Sequence, residues 1–170
     1  MKLAVIGSPI GHSKSPAMHL AAYRLLRLPW SYDAVEVAEA GFDDFTRTLG
    51  GRWRGLSVTA PLKGRAHDWA SRLDEAATLT GAVNTLLVQT RRGFNTDVDG
   101  IVAAFAGHGL ARAERGAIIG SGATAMGALV ALGRMGATSV ELRLRNPDRV
   151  GPLASVAERL GIDLAFSRLD

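Results

Sequence analysis

The chain has 170 residues, 47% of them hydrophobic and 21% charged, the balance of one or two globular domains and not of a disordered segment. It has no cysteine, which excludes thiol catalysis and cysteine-ligated zinc and agrees with a cytoplasmic protein; no apolar run approaches the length of a membrane-spanning helix. The net charge is +4, yet the seventeen arginines and three lysines are interleaved with sixteen acidic residues, a pattern that fits a small anionic ligand and gives no sign of nucleic acid.

Lys2–Ile6 reads as a buried strand ended by Gly7, an apolar run too short for a secretory signal. After the loop to Ser15, Pro16 sits where a helix begins, and Met18, Ala21, Ala22, Leu25 and Leu26 recur at helical spacing. Trp30–Val37 reads as a second strand, Gly41–Leu49 as a helix and Gly55–Thr59 as a third strand broken by Pro61. Ala66–Thr80 has one continuous helical pattern. Ala82–Val88 and Gly93–Asn95 read as strands flanking a turn at Arg91 and Arg92.

The style changes after Asp97. Val98–Leu110 reads as a connecting helix, and then strands Arg115–Gly120, Ser139–Arg145 and Ile162–Phe166 alternate with helices Ala123–Met135 and Pro152–Leu160. That β-α-β-α-β order is half of a dinucleotide-binding fold. The expected architecture is α/β, with an N-terminal domain at 1–97 built on a mixed, mostly parallel sheet. A partial Rossmann-like domain at 98–170 is expected to follow.

The first strand of that second half runs into Gly120-Ser121-Gly122-Ala123-Thr124-Ala125, a G-x-G-x-x-A turn opening a helix. The first glycine allows the tight turn, the second lets backbone amides approach a pyrophosphate, and the small third residue lets helix and strand pack closely. Without a ligand the same sequence is simply a tight turn. Glu141 lies at the spacing of an NAD-type acid but near the wrong end of its strand. Arg145 and Arg149 follow the correct end with the charge that a 2′-phosphate needs, so the expected cofactor is NADP.

Three polar clusters precede the turn, each at the end of a predicted strand: Gly7 to Pro16, Ser57 to Lys63, and Gly81 to Thr85 with Gly93 to Asp97. Ser13 and Ser15 have the hydroxyls to hold a carboxylate, although Ser15 could equally cap the following helix. Lys63 could be an ordinary surface lysine and the Asn and Thr residues turn formers. The four histidines, at 12, 19, 67 and 108, show no metal-ligand spacing, and His12 and His19 are expected to hydrogen-bond locally.

Taken in order, G-x-P-I-x-H-S-x-S-P, V-T-x-P-x-K, G-A-x-N-T and G-x-N-T-D resemble the signatures of the shikimate dehydrogenase family, followed by the glycine-rich turn and an R-x-x-x-R segment. The resemblance implies an NADP-dependent oxidoreductase interconverting 3-dehydroshikimate and shikimate in aromatic amino acid (chorismate) biosynthesis, with no metal. It assigns Ser13 and Ser15 to the substrate carboxylate, and Thr59, Asn84 and Asp97 to the ring hydroxyls. Lys63 and Asp97 become the acid/base pair, Gly120 to Ala125 the pyrophosphate cradle, and Arg145 and Arg149 the 2′-phosphate grip. Ser57 and Leu144 stand where many members have Asn. Ser15, where quinate-accepting relatives carry Thr, favours shikimate. A quinate/shikimate dehydrogenase or a shikimate-binding fragment without catalysis are the alternatives. Family chains run longer, so the second domain is expected to be partial and its activity reduced; a homodimer is a candidate assembly.

Overall fold

The apolar run at the start of the chain becomes β1 (Lys2–Gly7), the strand around which a sheet is built. The computed structural model describes residues 1–169 and divides into two units, Met1–Asn95 and Thr96–Asp170. In the first unit β1 lies between β2 (Ser31–Glu36) and β3 (Trp53–Val58), parallel to both. Beyond β3 come β5 (Thr85–Leu87) and β6 (Arg92–Phe94), both antiparallel to their predecessor. The two-residue β4 (Arg72–Leu73) closes the order β2-β1-β3-β5-β6-β4.

Alternation along β1 divides the interior in two. Ala4 and Ile6 join Leu56, Val58, Leu86, Phe42 and Leu62 in the larger core, while Val5 joins Ile10, Tyr23 and Tyr32 in a smaller one. Side chains as buried as Phe42, Ile6 and Leu62 each contribute about 1.5–3 kcal/mol. Helices α2 (Phe42–Arg47) and α3 (Lys63–Trp69) supply Phe42 and Ala66 to the larger core, and α1 (Ser15–Leu25) supplies Tyr23 to the smaller.

Two local expectations are corrected. The periodic stripe on α1 does not face the core: Met18, Leu25 and Leu26 are 69%, 85% and 64% exposed, and Tyr23 with half-buried Leu20 packs inward instead. The aromatic ring offers more area to bury than the aliphatic stripe does. The continuous helix expected over Ala66–Thr80 is two helices, α3 and α4 (Glu75–Thr80), with β4 between them. Ala70 turns extended, the Ser71 N–H donates to the Arg91 carbonyl at 2.8 Å, and Asp74 caps α4 by accepting the Ala77 N–H at 2.7 Å. Asp competes well for such a cap, and the pairing with the Arg91 segment leaves no helix to continue.

The second unit begins with α5 (Asp97–Gly107), then follows β7 (Arg115–Ile119), α6 (Ala123–Arg134), β8 (Ser139–Leu144), α7 (Gly151–Arg159) and β9 (Asp163–Arg168). Its strands are all parallel in the order β7-β8-β9, one half of a doubly wound Rossmann-like sheet. Val140, Leu142 and Leu144 of β8 are buried on one face, with Leu129, Val130 and Leu153 of the helices also buried. Arg134 of α6 donates to Asp99 of α5 at 2.6 Å.

Candidate active site

Parallel β1 and β3 end side by side, and antiparallel β5 begins where β3 ends, so several polar loops meet at one end of the first sheet. Close approach there has a requirement. A Cβ on Gly7 would lie 2.4 Å from Thr59 Cγ2 and 2.8 Å from the Ala60 carbonyl oxygen, so only glycine lets these strand ends meet. The loops after β1 and β3 each contain a cis proline, Pro9 and Pro61.

Thr59, Lys63 and Asn84 are locked together through the backbone. The Leu62 N–H donates to the Thr59 carbonyl at 2.9 Å, the Val83 N–H to the Lys63 carbonyl at 3.0 Å, and the Val58 N–H to the Asn84 carbonyl at 2.7 Å. Lys63 opens α3 and is half-buried, as are Thr59 and Asn84. The Thr85 hydroxyl donates to Asn84 Oδ1 at 2.9 Å.

Ser13 and Ser15 stand half-buried at the head of α1. The Ser15 N–H donates to Ser13 Oγ at 3.3 Å. It is therefore Ser13, not Ser15, whose side chain accepts at the start of the helix, and a hydroxyl that accepts can still donate its own proton. Asn95, which follows β6 at this same end of the sheet, is buried; its amide Nδ2 donates to Thr80 Oγ1 at 2.9 Å and its backbone N–H to the Asp74 carboxylate at 3.3 Å. Asp97 is the first residue of α5, in the second unit. There its Cβ lies 3.8 Å from the point where a side chain on Gly127 of α6 would begin.

Sequence reasoning missed an aromatic and hydroxyl group beneath these loops. The Tyr32 hydroxyl, from β2, donates to Ser57 Oγ on β3 at 2.7 Å. His19 stacks on the Tyr32 ring, 4.0 Å between centroids and 11° between planes, and its Nδ1 lies 2.8 Å from the Ser15 carbonyl. His19 thus bonds locally, as expected. Burial pushes the Tyr32 phenol above its ordinary value, opposed by its hydrogen bond with Ser57 and more weakly by one with Ser15; it is a neutral donor near pH 7. The only available signal was the alternation of β2, which turns Tyr32 inward but does not say what it meets.

In the second unit, the glycine-rich turn and both arginines line one cleft. It has a volume of about 670 Å³, bounded by Gly120, Ser121 and Gly122 on one side and Arg145, Asn146 and Arg149 on the other. Gly120 has φ +112°, outside the range L side chains favour. No side chain caps α6 at Gly122, and the first intrahelical bond runs from the Met126 N–H to the Gly122 carbonyl. The amides of Ala123, Thr124 and Ala125 are therefore left to a ligand or solvent, with the positive end of the helix dipole behind them. Ala125 is buried, the small residue at which helix and sheet close up. Glu141 is not in this cleft: it points to the opposite face of β8 and accepts from Arg143 Nε at 2.8 Å.

Comparison with known proteins agrees with this geometry. Residues 5–86 match the model of the shikimate dehydrogenase substrate binding domain. The shikimate dehydrogenase (NADP(+)) of Thioalkalivibrio sulfidiphilus is 39% identical over 166 residues, covering 94% of this chain and 61% of that protein. The crystal structure of Mycobacterium tuberculosis shikimate dehydrogenase is 37% identical with a TM-score of 0.88, covering 99% of this chain and 64% of that one. The Thermus thermophilus enzyme, solved in complex with NADP(H) and shikimate, is 30% identical with a TM-score of 0.84, covering 97% and 62%. The chain thus spans somewhat less than two thirds of the length of these relatives. With polar loops gathered at one end of the first sheet and a glycine-rich cleft in the second unit, the chain is similar to shikimate dehydrogenases over nearly its whole length and matches their substrate binding domain over residues 5–86.

Proposed function

We propose that the protein is an NADP-dependent oxidoreductase that interconverts 3-dehydroshikimate and shikimate. The observation that carries the reading is the backbone lock joining Thr59, Lys63 and Asn84 beside the Ser13 and Ser15 loop. It brings Lys63, Thr59 and Asn84 to one sheet end, where the loop carrying Ser13 and Ser15 also leaves β1, and this supports reading them as a proton donor, two hydroxyl-binding groups and a carboxylate-binding pair. A hydroxylated ring acid is the chemistry that uses all of them. Ser13 and Ser15 hold the carboxylate; Thr59, Asn84 and Asp97 hold the ring hydroxyls.

The cleft of the second unit fits a dinucleotide: an uncapped helix start for the pyrophosphate and two arginines for a 2′-phosphate. Bound NADPH supplies the hydride for the 3-keto carbon. Lys63 delivers the proton to the 3-oxygen as negative charge builds there, and Asp97 is its partner in holding and returning that proton. Oxidation of shikimate uses the same groups in reverse.

The test is Lys63→Ala. Turnover should fall about 10²–10⁴-fold, the contribution of an acid/base, while shikimate affinity stays within about tenfold. An unchanged kcat at saturating substrate contradicts the assignment.

A further inference from the structure

His19 makes two contacts that point in different directions. A carbonyl oxygen can only accept, so the 2.8 Å contact from Nδ1 to the Ser15 carbonyl requires the proton on Nδ1. The same ring lies flat on Tyr32, whose hydroxyl donates to Ser57. One half-buried imidazole therefore ties the head of α1 to β2, and through Tyr32 to β3. Burial holds the Tyr32 phenol neutral, so that link keeps its donor.

We infer that His19 is a positioning residue for carboxylate recognition: it fixes the spacing between Ser15 at the head of α1 and the Tyr32–Ser57 pair on the sheet. This rests on the reading that Ser13 and Ser15 take the substrate carboxylate. Ser13 Oγ already accepts from the Ser15 N–H, and Ser57 Oγ already accepts from Tyr32. A serine hydroxyl that accepts one bond can still donate its own proton, and two such hydroxyls suit an anion. A carboxylate presents two oxygens a fixed distance apart, so its binding depends on how far α1 stands from the sheet. A neutral ester makes weaker demands on that spacing, because it lacks the charge that strengthens these bonds.

Two substitutions separate the contacts. His19→Phe keeps a ring for Tyr32 and removes the donor to Ser15; His19→Asn keeps a donor placed like Nδ1 and removes the stack. Binding of shikimate and of its methyl ester to the whole chain is measured by calorimetry for the parent and both variants, with thermal unfolding as the check on folding. Each variant should bind shikimate about three- to tenfold more weakly, the scale of one hydrogen bond, with ester binding within about twofold. Nitrogen-15 spectra of the parent should show the Nδ1–H tautomer. Equal loss for acid and ester, or the Nε2–H tautomer, overturns the inference. Shikimate binding that neither variant changes also overturns it and leaves the site reading intact. A parent chain that binds neither ligand overturns the site reading as well.

Discussion

The Asp74 carboxylate serves two segments at once: it accepts the Ala77 N–H that starts α4 and, at 3.3 Å, the backbone N–H of Asn95. Asn95 is the last residue of the first unit, and its buried side chain is itself fastened to Thr80. Asp74→Ala removes a helix cap, at a cost of about 0.5–2 kcal/mol, and leaves the Asn95 amide without its acceptor, adding about 1–3 kcal/mol. Urea unfolding should show the combined loss. Asp74→Asn, which keeps an accepting oxygen, should recover most of it.

Alkaline stability follows from the two buried phenols. Burial raises both Tyr23 and Tyr32 above the ordinary value of 10.0, Tyr32 also by its proximity to Tyr23 and against its hydrogen bonds with Ser57 and Ser15. The folded state then holds protons that the unfolded chain has released. Stability is fully present below pH 10 and falls as pH rises through the folded values. Unfolding midpoints followed from neutral to strongly alkaline pH should decline for the parent. Replacing both tyrosines with Phe should flatten the part of that decline the phenols cause; an unaltered slope contradicts the assignment.

Cofactor preference should rest on Arg145 and Arg149, which share the cleft with Gly120 and Gly122. Each charge-assisted contact to a 2′-phosphate is worth about 1.5–3 kcal/mol. Replacing both by Ala should weaken NADP binding about 100-fold or more and leave NAD binding within about threefold. Equal loss for both cofactors would show that these arginines support the fold.

Much of this was legible in the sequence because its signals were local. β1, β3 and β8 are apolar or alternating runs with clear ends, and the glycine-rich turn announces the strand before it and the helix after it. What could not be read depended on distant partners. The pattern over Ala66–Thr80 is helical throughout, and it breaks because the Ser71 segment pairs with Arg91, twenty residues away. On α1, periodicity marked a stripe, but the sheet below offered Tyr32 and Val5, against which Tyr23 packs better. Tyr32 and His19 belong to no spacing pattern that names their partners. Ser57 was visible only as a departure from the family, and its hydrogen bond to Tyr32 emerges only when β2, β1 and β3 lie in register.

The most direct test of the central claim is an amide-resolved NMR titration of the chain with shikimate and, separately, with NADP⁺. The reading of two separate ligand sites predicts two distinct sets of shifts. Shikimate should move Ser13, Ser15, Thr59, Lys63 and Asn84, and NADP⁺ should move Gly120 to Ala125 with Arg145 and Arg149. Shikimate that leaves the first set unmoved, or two ligands that compete for one set of residues, would contradict it.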